Sequence, residues 1–296
     1  MHLPGLSNPH RSFGFEAWPQ FGHKTFRPDP TYLLQLILYG GRDTCPLGRS
    51  LRYPHNFGGG EKMVPGPERV ILCPHCGHKA RVQTILSFSM RGAILWTDGK
   101  TLSMAPNLPA ITRCVSCSEF YWISEAKVVG EFYEWGGYRV ISSGSPDRSR
   151  AKWRDGTPPA EWLSLEHVRH LTCDECLLAI RKGLPRREND EKYLRILAWW
   201  SHNDQYRSVE ADVEVKGSPP GQVRENLEKL RGLLDEDDYS DRLFKAEIER
   251  ELGNFDEARR LLAFDFPDHV REVAVFMDQL AQKGDTLVRK IPQQNW

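Results

Sequence analysis

Residues 69–82 read RVILCPHCGHKARV, and this stretch decides the fold because aliphatic residues lead directly into a closely spaced pair of cysteines. The thiolates of Cys73 and Cys76 can reach one ion only if the backbone turns tightly between them, and Gly77 supplies the freedom for such a turn. A second pair with the same spacing, Cys114 and Cys117, follows after 37 residues. Two such pairs predict a small β-rich zinc ribbon.

The predicted metal centre is one structural zinc ion bound by Cys73, Cys76, Cys114 and Cys117. Zinc prefers four tetrahedral ligands, and four thiolates leave no open position for water, so no catalytic residue is predicted here. Two weaker interpretations are a pair of unrelated cysteine motifs and a redox CxxC motif, which sits at a helix N-terminus in a βαβ context. Two histidines, His75 and His78, lie next to the first cysteine pair. We predict that they point to solvent and do not replace a cysteine as a metal ligand.

A third cysteine pair, Cys173 and Cys176, raises the question of a second metal site, since His167 and His170 precede it at the same spacing of three. The whole motif falls within a helix predicted from Ser164 to about Lys182. Nine residues of helix rise about 13 Å, so one ion cannot reach all four side chains. We therefore predict that these cysteines are small, partly buried helix residues.

Composition restricts the class of protein. The chain has 296 residues, which favours two domains or one domain with appendages. No apolar run reaches the length of about 18 residues that a membrane helix needs, and no secretory signal is evident. The prediction is a cytoplasmic protein without a membrane partner, whose 7 cysteines serve as metal ligands before disulfides.

Residues 1–62 differ in composition from the remainder, because 9 Gly and 7 Pro make up 16 of the 62 residues. We predict a flexible N-terminal extension. Cys45 lies alone in this segment, and no role is predicted for it. Two interpretations stay open: the segment belongs to the protein, or Met63 is the true start and the segment is an upstream extension of the gene model. Codons for Gly60 and Glu61 can spell a bacterial ribosome-binding site before Met63.

The fold class predicted for the remaining chain is α+β, with a zinc ribbon at 63–135, a Gly-, Ser- and Arg-rich linker at 136–160 and an α-helical domain at 161–296. Alternation and β-branched residues predict strands at 69–72, 82–88, 93–96, 101–102, 111–112 and 120–123. Helical periodicity predicts helices at about 164–182, 189–201, 223–234, 239–252, 255–263 and 267–282.

The helical part resembles a tetratricopeptide repeat at one turn, ELGNFDEARRLL, residues 251–262. Gly253 would end the first helix, Phe255 would pack at the corner, and Ala246 and Ala258 would allow the two helices to approach closely. Only this unit matches, whereas a solenoid needs about three repeats. A generic helical hairpin is the alternative interpretation.

The wider pattern resembles uncharacterised bacterial proteins that combine a CPxCG ribbon with a tetratricopeptide-like helical region. The matching segments are Cys73–Gly77, Trp96–Lys100, Ala105–Pro109, Cys114–Cys117, Tyr121-Trp122, Ala198–Asp204 and Ala246–Leu262. The second knuckle departs from the CPxCG pattern at Val115 and Ser118, which predicts a less tight turn. The resemblance implies an architecture and no reaction.

The function predicted from these features is a non-enzymatic adaptor or scaffold whose helical array binds a protein partner. No HExxH, GxSxG, P-loop or dinucleotide motif is present. The cations proposed to contact the partner are Arg224, Lys245 and Arg259. The polar pair Asn203-Asp204 could line a site, but capping the end of its helix is the favoured interpretation.

The alternative function is nucleic-acid binding by the ribbon. Residues 63–160 carry 12 Lys and Arg against 8 Asp and Glu, and they contain the aromatic residues Trp96, Tyr121 and Trp122. Aromatic side chains can stack on bases when exposed, although in a ribbon this small they more often form the core. The formal net charge of zero and the 17 acidic against 12 basic residues at 221–290 argue against a phosphate-binding chain.

Overall fold

A computed structural model describes residues 63–87, 92–103, 108–134, 136–141, 151–207 and 220–292. The predicted N-terminal extension, including Cys45 and the run Thr31–Tyr39, lies outside the described residues. Within them, short β-strands occupy the first part of the chain and α-helices the second, so the mixed α and β content is confirmed.

Ten strands are described: β1 Val64–Pro65, β2 Glu68–Leu72, β3 Lys79–Val82, β4 Ile85–Ser87, β5 Ile94–Leu95, β6 Thr101–Leu102, β7 Ile111–Arg113, β8 Phe120–Trp122, β9 Lys127–Phe132 and β10 Tyr138–Val140. The largest sheet has the antiparallel order β10-β9-β2-β3. The other strands form three two-stranded antiparallel sheets, β1-β4, β5-β6 and β7-β8. The single strand predicted at 82–88 is divided between β3 and β4.

Strands β9 and β10 are absent from the sequence prediction, although β9 lies at the centre of the largest sheet. The two strands are joined by a turn in which Gly136 and Gly137 have φ values of 124° and 86°. These glycines therefore form a tight turn, and β10 occupies the start of the segment predicted as a linker. Arg154, further along that segment, bridges to Tyr138 of β10.

Seven α-helices are described: α1 Ala160–Leu163, α2 Cys173–Arg181, α3 Glu188–Asn203, α4 Gly221–Gly232, α5 Tyr239–Glu251, α6 Phe255–Leu262 and α7 Asp268–Gln282. The boundaries of α3 to α7 lie close to those predicted from periodicity. The predicted α4 stripe is confirmed, since its four apolar members are all buried: Val223, Leu227, Leu230 and Leu234.

The helix predicted from Ser164 was placed wrongly, because α2 begins only at Cys173. Thr172 and Glu175 form a reciprocal capping box that fixes the start of the helix there. The preceding residues instead add to the free edge of β3: Arg81 N–H donates to Glu166 O, and Val168 N–H donates to Arg81 O, both at 2.9 Å. These backbone bonds are made to a strand that is distant in sequence, and helical periodicity cannot predict such contacts.

The strands and helices share buried clusters. Trp122 of the β7-β8 hairpin lies 6.0 Å from Tyr193 of α3, centroid to centroid, within a core that also contains Ile111, Phe120 and Leu194. A second core is formed by residues of all five helices from α3 through α7, and Leu95 of β5 packs against it. The hairpins are therefore seated on the helices by apolar contact.

The α5–α6 turn places the residues that resemble a tetratricopeptide unit as predicted. Gly253 lies between the two helices with φ of 84°, in the left-handed region that favours glycine. Ala246 and Ala258 are completely buried, and Phe255 is half-buried at the first position of α6. None of the helices in the described ranges has the length and apolar character that a bilayer crossing requires.

Candidate metal centre

Two matching turns carry the four cysteines, one between β2 and β3 and the other between β7 and β8. In the first turn, Cys73 N–H donates to His78 O at 2.8 Å, and Gly77 N–H donates to Cys73 O at 2.9 Å. The second turn repeats both bonds at 2.9 Å, from Cys114 N–H to Glu119 O and from Ser118 N–H to Cys114 O. The two hairpins therefore present their cysteines in the same local geometry.

The four thiols converge on one point. Their sulfur atoms all lie within 4.8 Å of one another. Cys73 Sγ is 3.8 Å from Cys117 Sγ, and Cys76 Sγ is 3.6 Å from Cys114 Sγ, so each close pair joins the two hairpins. Four sulfurs this close can hold one metal ion, and in the part of the chain that the structure describes no other group of His, Cys, Asp or Glu is placed to do so.

Ser118 shows how the second turn forms without the glycine of the first. Its φ is 62°, against 75° at the equivalent Gly77, and within the described ranges it is the single non-glycine residue with positive φ. The turn is thus as tight as the first one, which corrects the prediction of a looser knuckle. A residue with a side chain costs about 1–2 kcal/mol in this left-handed region.

Burial divides the four cysteines into two inner and two outer positions. Cys73 and Cys114 are buried, whereas Cys76 is exposed. Burial raises the pKa of the Cys73 thiol to about 12, while a hydrogen bond from the His78 backbone N–H lowers the pKa of Cys76 to about 7. A metal must displace the protons of these thiols, so its affinity decreases as the pH falls.

The neighbouring histidines are not part of the four-sulfur group. His75 is exposed, as predicted, and its Nε2 lies 3.3 Å from the backbone carbonyl of Phe120. This contact connects the first turn to the strand that follows the second turn, which supports the approach of the two hairpins. His78 is half-buried and contributes its backbone carbonyl to the first turn.

The third cysteine pair lies in the first turn of α2 and does not form a metal group. Cys176 is completely buried in the core that contains Ile111 and Trp122. Burial raises the pKa of Cys173 to about 11 and raises the pKa of Cys176 further. His167 is directed away from the pair, with Nε2 at 3.1 Å from Glu68 Oε1. The prediction that these cysteines are small, partly buried helix residues agrees with this placement, since Cys173 is half-buried and Cys176 is buried.

A second cluster, which sequence reasoning missed, joins the β5-β6 turn to the helices around the fully buried Asp98. Both carboxylate oxygens of Asp98 accept from the Arg207 guanidinium, at 2.6 and 3.1 Å. Asn203 Nδ2 donates to Asp98 Oδ2 at 3.0 Å, and the Trp200 indole N–H donates to the Asp98 carbonyl at 2.9 Å. Asp98 thereby bonds three side chains that lie at the C-terminal end of α3 and just beyond it.

Helix α5 extends this cluster with Arg250 and Glu251. Glu251 accepts from Trp199 Nε1 at 2.8 Å and from Asn203 Nδ2 at 2.9 Å. Burial and the neighbouring Glu247 raise the pKa of Glu251 well above its usual range. Arg250 pairs with Glu247 at 2.6 Å and donates to the Leu287 carbonyl at 2.7 Å. These groups bond to one another, so the cluster fastens the hairpin and the C-terminal segment to the helices.

The pair Asn203-Asp204 lies at the C-terminal end of α3, as the capping interpretation predicted: Asp204 is the C-cap residue, and its backbone N–H donates to the Trp200 carbonyl. Asn203 is 2% exposed and bonds inside the cluster, so it does not line an open site, and its side chain makes no capping bond. Asp204 is half exposed and accepts from Lys100 Nζ at 2.8 Å. The segments Trp96–Lys100 and Ala198–Asp204 were both singled out by the resemblance to bacterial proteins. The sequence does not show that they lie next to each other in space, and so the cluster was not predicted.

The aromatic residues considered for nucleic-acid stacking are core residues. Trp96, Tyr121 and Trp122 are buried. The Arg207 guanidinium lies over the Trp96 ring at 5.1 Å, and Trp122 packs on Tyr193. None of the three rings offers an open face on which a base could stack.

A groove of about 500 Å³ opens between α4, α5 and α6. We call it the α4–α6 groove; its lining residues are Glu228, Arg231, Gly232, Glu236, Lys245, Glu249, Asn254 and Glu257. Of the three cations proposed from sequence to contact a partner, Lys245 lines the groove. Arg224 and Arg259 lie outside the lining, next to Glu228 at 3.9 Å and Asp278 at 3.0 Å.

No family model, curated protein or solved structure matches this chain. The resemblance to bacterial zinc-ribbon proteins with tetratricopeptide-like helices stays a prediction. Any functional assignment therefore depends on the geometry of the two turns, the buried cluster and the α4–α6 groove.

Proposed function

We propose that the chain is a non-enzymatic adaptor in which one zinc ion holds two β-hairpins together and the helical part binds a segment of a protein partner. In this proposal the β-rich part is a zinc ribbon and the α5–α6 hairpin is a tetratricopeptide-like unit. Reduced thiolates are typical of the cytoplasm, where we place the protein.

Zinc is supported by the donor set and its spacing. Zinc–sulfur bonds of about 2.3 Å in a tetrahedron separate the sulfurs by about 3.8 Å. The two close Sγ–Sγ distances here are 3.6 and 3.8 Å, so four thiolates at these positions suit the ion with small adjustments. When bound, zinc supplies a cross-link between the hairpins, and four thiolates leave no position for a reacting water.

The adaptor function is carried by one observation, the α4–α6 groove. Its walls come from three successive helices, and every lining residue except Gly232 is polar or charged, so it does not represent an incompletely filled core. Helical arrays commonly bind extended segments in such grooves. Nucleic-acid binding loses one of the two observations that suggested it, because the three aromatic residues are buried. The excess of basic residues at 63–160 is the other.

Gly232 provides a test of the groove. A Cβ built at Gly232 meets no atom within 4 Å, so Gly232→Trp places an indole in the groove without straining the fold. We expect affinity capture with the full-length Gly232→Trp protein to lose a partner that the wild-type protein retains.

The matched control is Gly221→Trp, at the other end of α4, where a Cβ also meets open space but the residue does not line the groove. This variant should retain the partner. A partner set that is identical for all three proteins would contradict a binding role for the groove.

A further inference from the structure

We propose that the segment bound in the α4–α6 groove is basic, with arginine or lysine side chains that pair with groove carboxylates. This inference rests on the proposed adaptor function and specifies the chemistry of the partner. It reverses the expectation from sequence, in which cations of the helical part make the contacts.

The charge of the groove favours a basic partner. Four carboxylates line it, Glu228, Glu236, Glu249 and Glu257, against two cations, Arg231 and Lys245. The helices and loops that form the groove, residues 221–260, carry 12 acidic and 8 basic residues, a difference of −4. A segment of like sign would be repelled, whereas a cationic segment would be attracted.

Two of the carboxylates are already engaged and shape the walls. Glu236 pairs with Lys245 at 2.8 Å and with Arg260 at 3.0 Å. Glu249 accepts from Arg231 at 3.1 Å and from Asn254 at 2.7 Å, and its side chain is 3% exposed. These bonds hold both Lys245 and Arg231, the two cations of the lining, against carboxylates.

The other two carboxylates, Glu228 and Glu257, are more exposed but differ in how far they are engaged. Glu228 is 48% exposed and lies 3.9 Å from Arg224, beyond hydrogen-bond distance. Glu257 is 42% exposed, but both of its oxygens already accept from the Arg260 guanidinium, at 2.7 and 2.8 Å. Glu228 therefore has the larger unused capacity to accept hydrogen bonds, and it is the carboxylate that we expect to contact an incoming cation.

The arrangement suits a chain of separate positive charges better than a single metal ion. Among the described residues, the four cysteines form the one group whose ligand atoms converge closely enough for a metal. The groove carboxylates come from four different elements, α4, the α4–α5 loop, α5 and α6. An arginine fork can pair with a carboxylate through two parallel hydrogen bonds, which gives both strength and direction.

The test uses a fluorescent peptide of four Arg-Ala-Ser repeats, the same peptide with Glu in place of Arg, and the full-length protein. The variant is Glu228→Lys. The matched control is Glu225→Lys on the same helix, since Glu225 is exposed, pairs with Lys229 at 2.7 Å and does not line the groove. Both substitutions change the net charge equally, so fluorescence anisotropy separates groove binding from diffuse attraction.

We expect the arginine peptide to bind in preference to the glutamate peptide. Glu228→Lys should lower its affinity about tenfold, which corresponds to about 1.4 kcal/mol, while Glu225→Lys should change it less than about twofold. Equal losses in the two variants, or no preference for the arginine peptide, would overturn the inference. A cellular partner that Gly232→Trp loses but Glu228→Lys binds normally would also overturn it, while leaving the adaptor function intact.

Discussion

Replacement of Cys73 by serine is expected to release the metal and unfold residues 69–130. Binding of structural zinc contributes about 10–16 kcal/mol that is folding free energy in small metal domains, as large as the total stability of a typical domain, about 5–15 kcal/mol. Cys73 is 2% exposed and belongs to the buried core that also contains Ile71, Cys114 and Tyr121. Elemental analysis and amide hydrogen exchange measure the two effects separately.

Cys173→Ser is the control for this experiment, because it replaces the same residue type outside the four-sulfur group. It should retain one metal ion per chain and leave exchange in the β2-β3 hairpin unchanged. Full metal content in Cys73→Ser, or loss of metal in Cys173→Ser, would show that the ligands are assigned wrongly.

Replacement of Asp98 by alanine is expected to destabilise the protein by about 3 kcal/mol, the lower end of the range for breaking a buried ion pair, because its partner would retain only a half-exposed carboxylate. The partner here is Arg207, whose side chain is 7% exposed and which would keep Asp204 as its neighbouring carboxylate. The Asn203 amide would lose an acceptor as well. Urea unfolding monitored by tryptophan fluorescence measures the change.

The matched control is Asp204→Ala, which removes a carboxylate from the same guanidinium at a position that is 48% exposed. Exposed ion pairs contribute about 0–1 kcal/mol, so this variant should stay close to wild type. Equal effects of the two substitutions would show that Asp98 does not fasten the hairpin. A decrease of less than about 1 kcal/mol in the free energy of unfolding of Asp98→Ala would also show that Asp98 does not fasten the hairpin.

The sequence predicted the structure correctly in the regions where interactions between residues close in sequence determine it. The spacing of apolar residues predicted α5, α6 and α7 within a few residues, because each helix buries one face at a period of 3.6. The two CxxC pairs predicted four thiols that the structure brings together, since each turn is fixed by bonds within its own six residues.

Sequence failed where distant residues decide. The stretch before Cys173 has helical spacing, yet it forms backbone bonds to Arg81 of β3. The Asp98 cluster draws on residues 102 to 109 positions away, and no local spacing reveals such contacts. Two of the three cations predicted to contact a partner, Arg224 and Arg259, lie outside the lining of the α4–α6 groove. Helical spacing predicts which residues face solvent, but it does not predict where neighbouring helices leave a groove.

The central claim, one zinc ion held by four thiolates, is tested most directly by X-ray absorption at the zinc edge of the full-length protein. The account predicts a first shell of four sulfur atoms at about 2.3 Å, with one zinc per chain. A shell that contains nitrogen or oxygen in place of any sulfur, or a second zinc per chain, would contradict it.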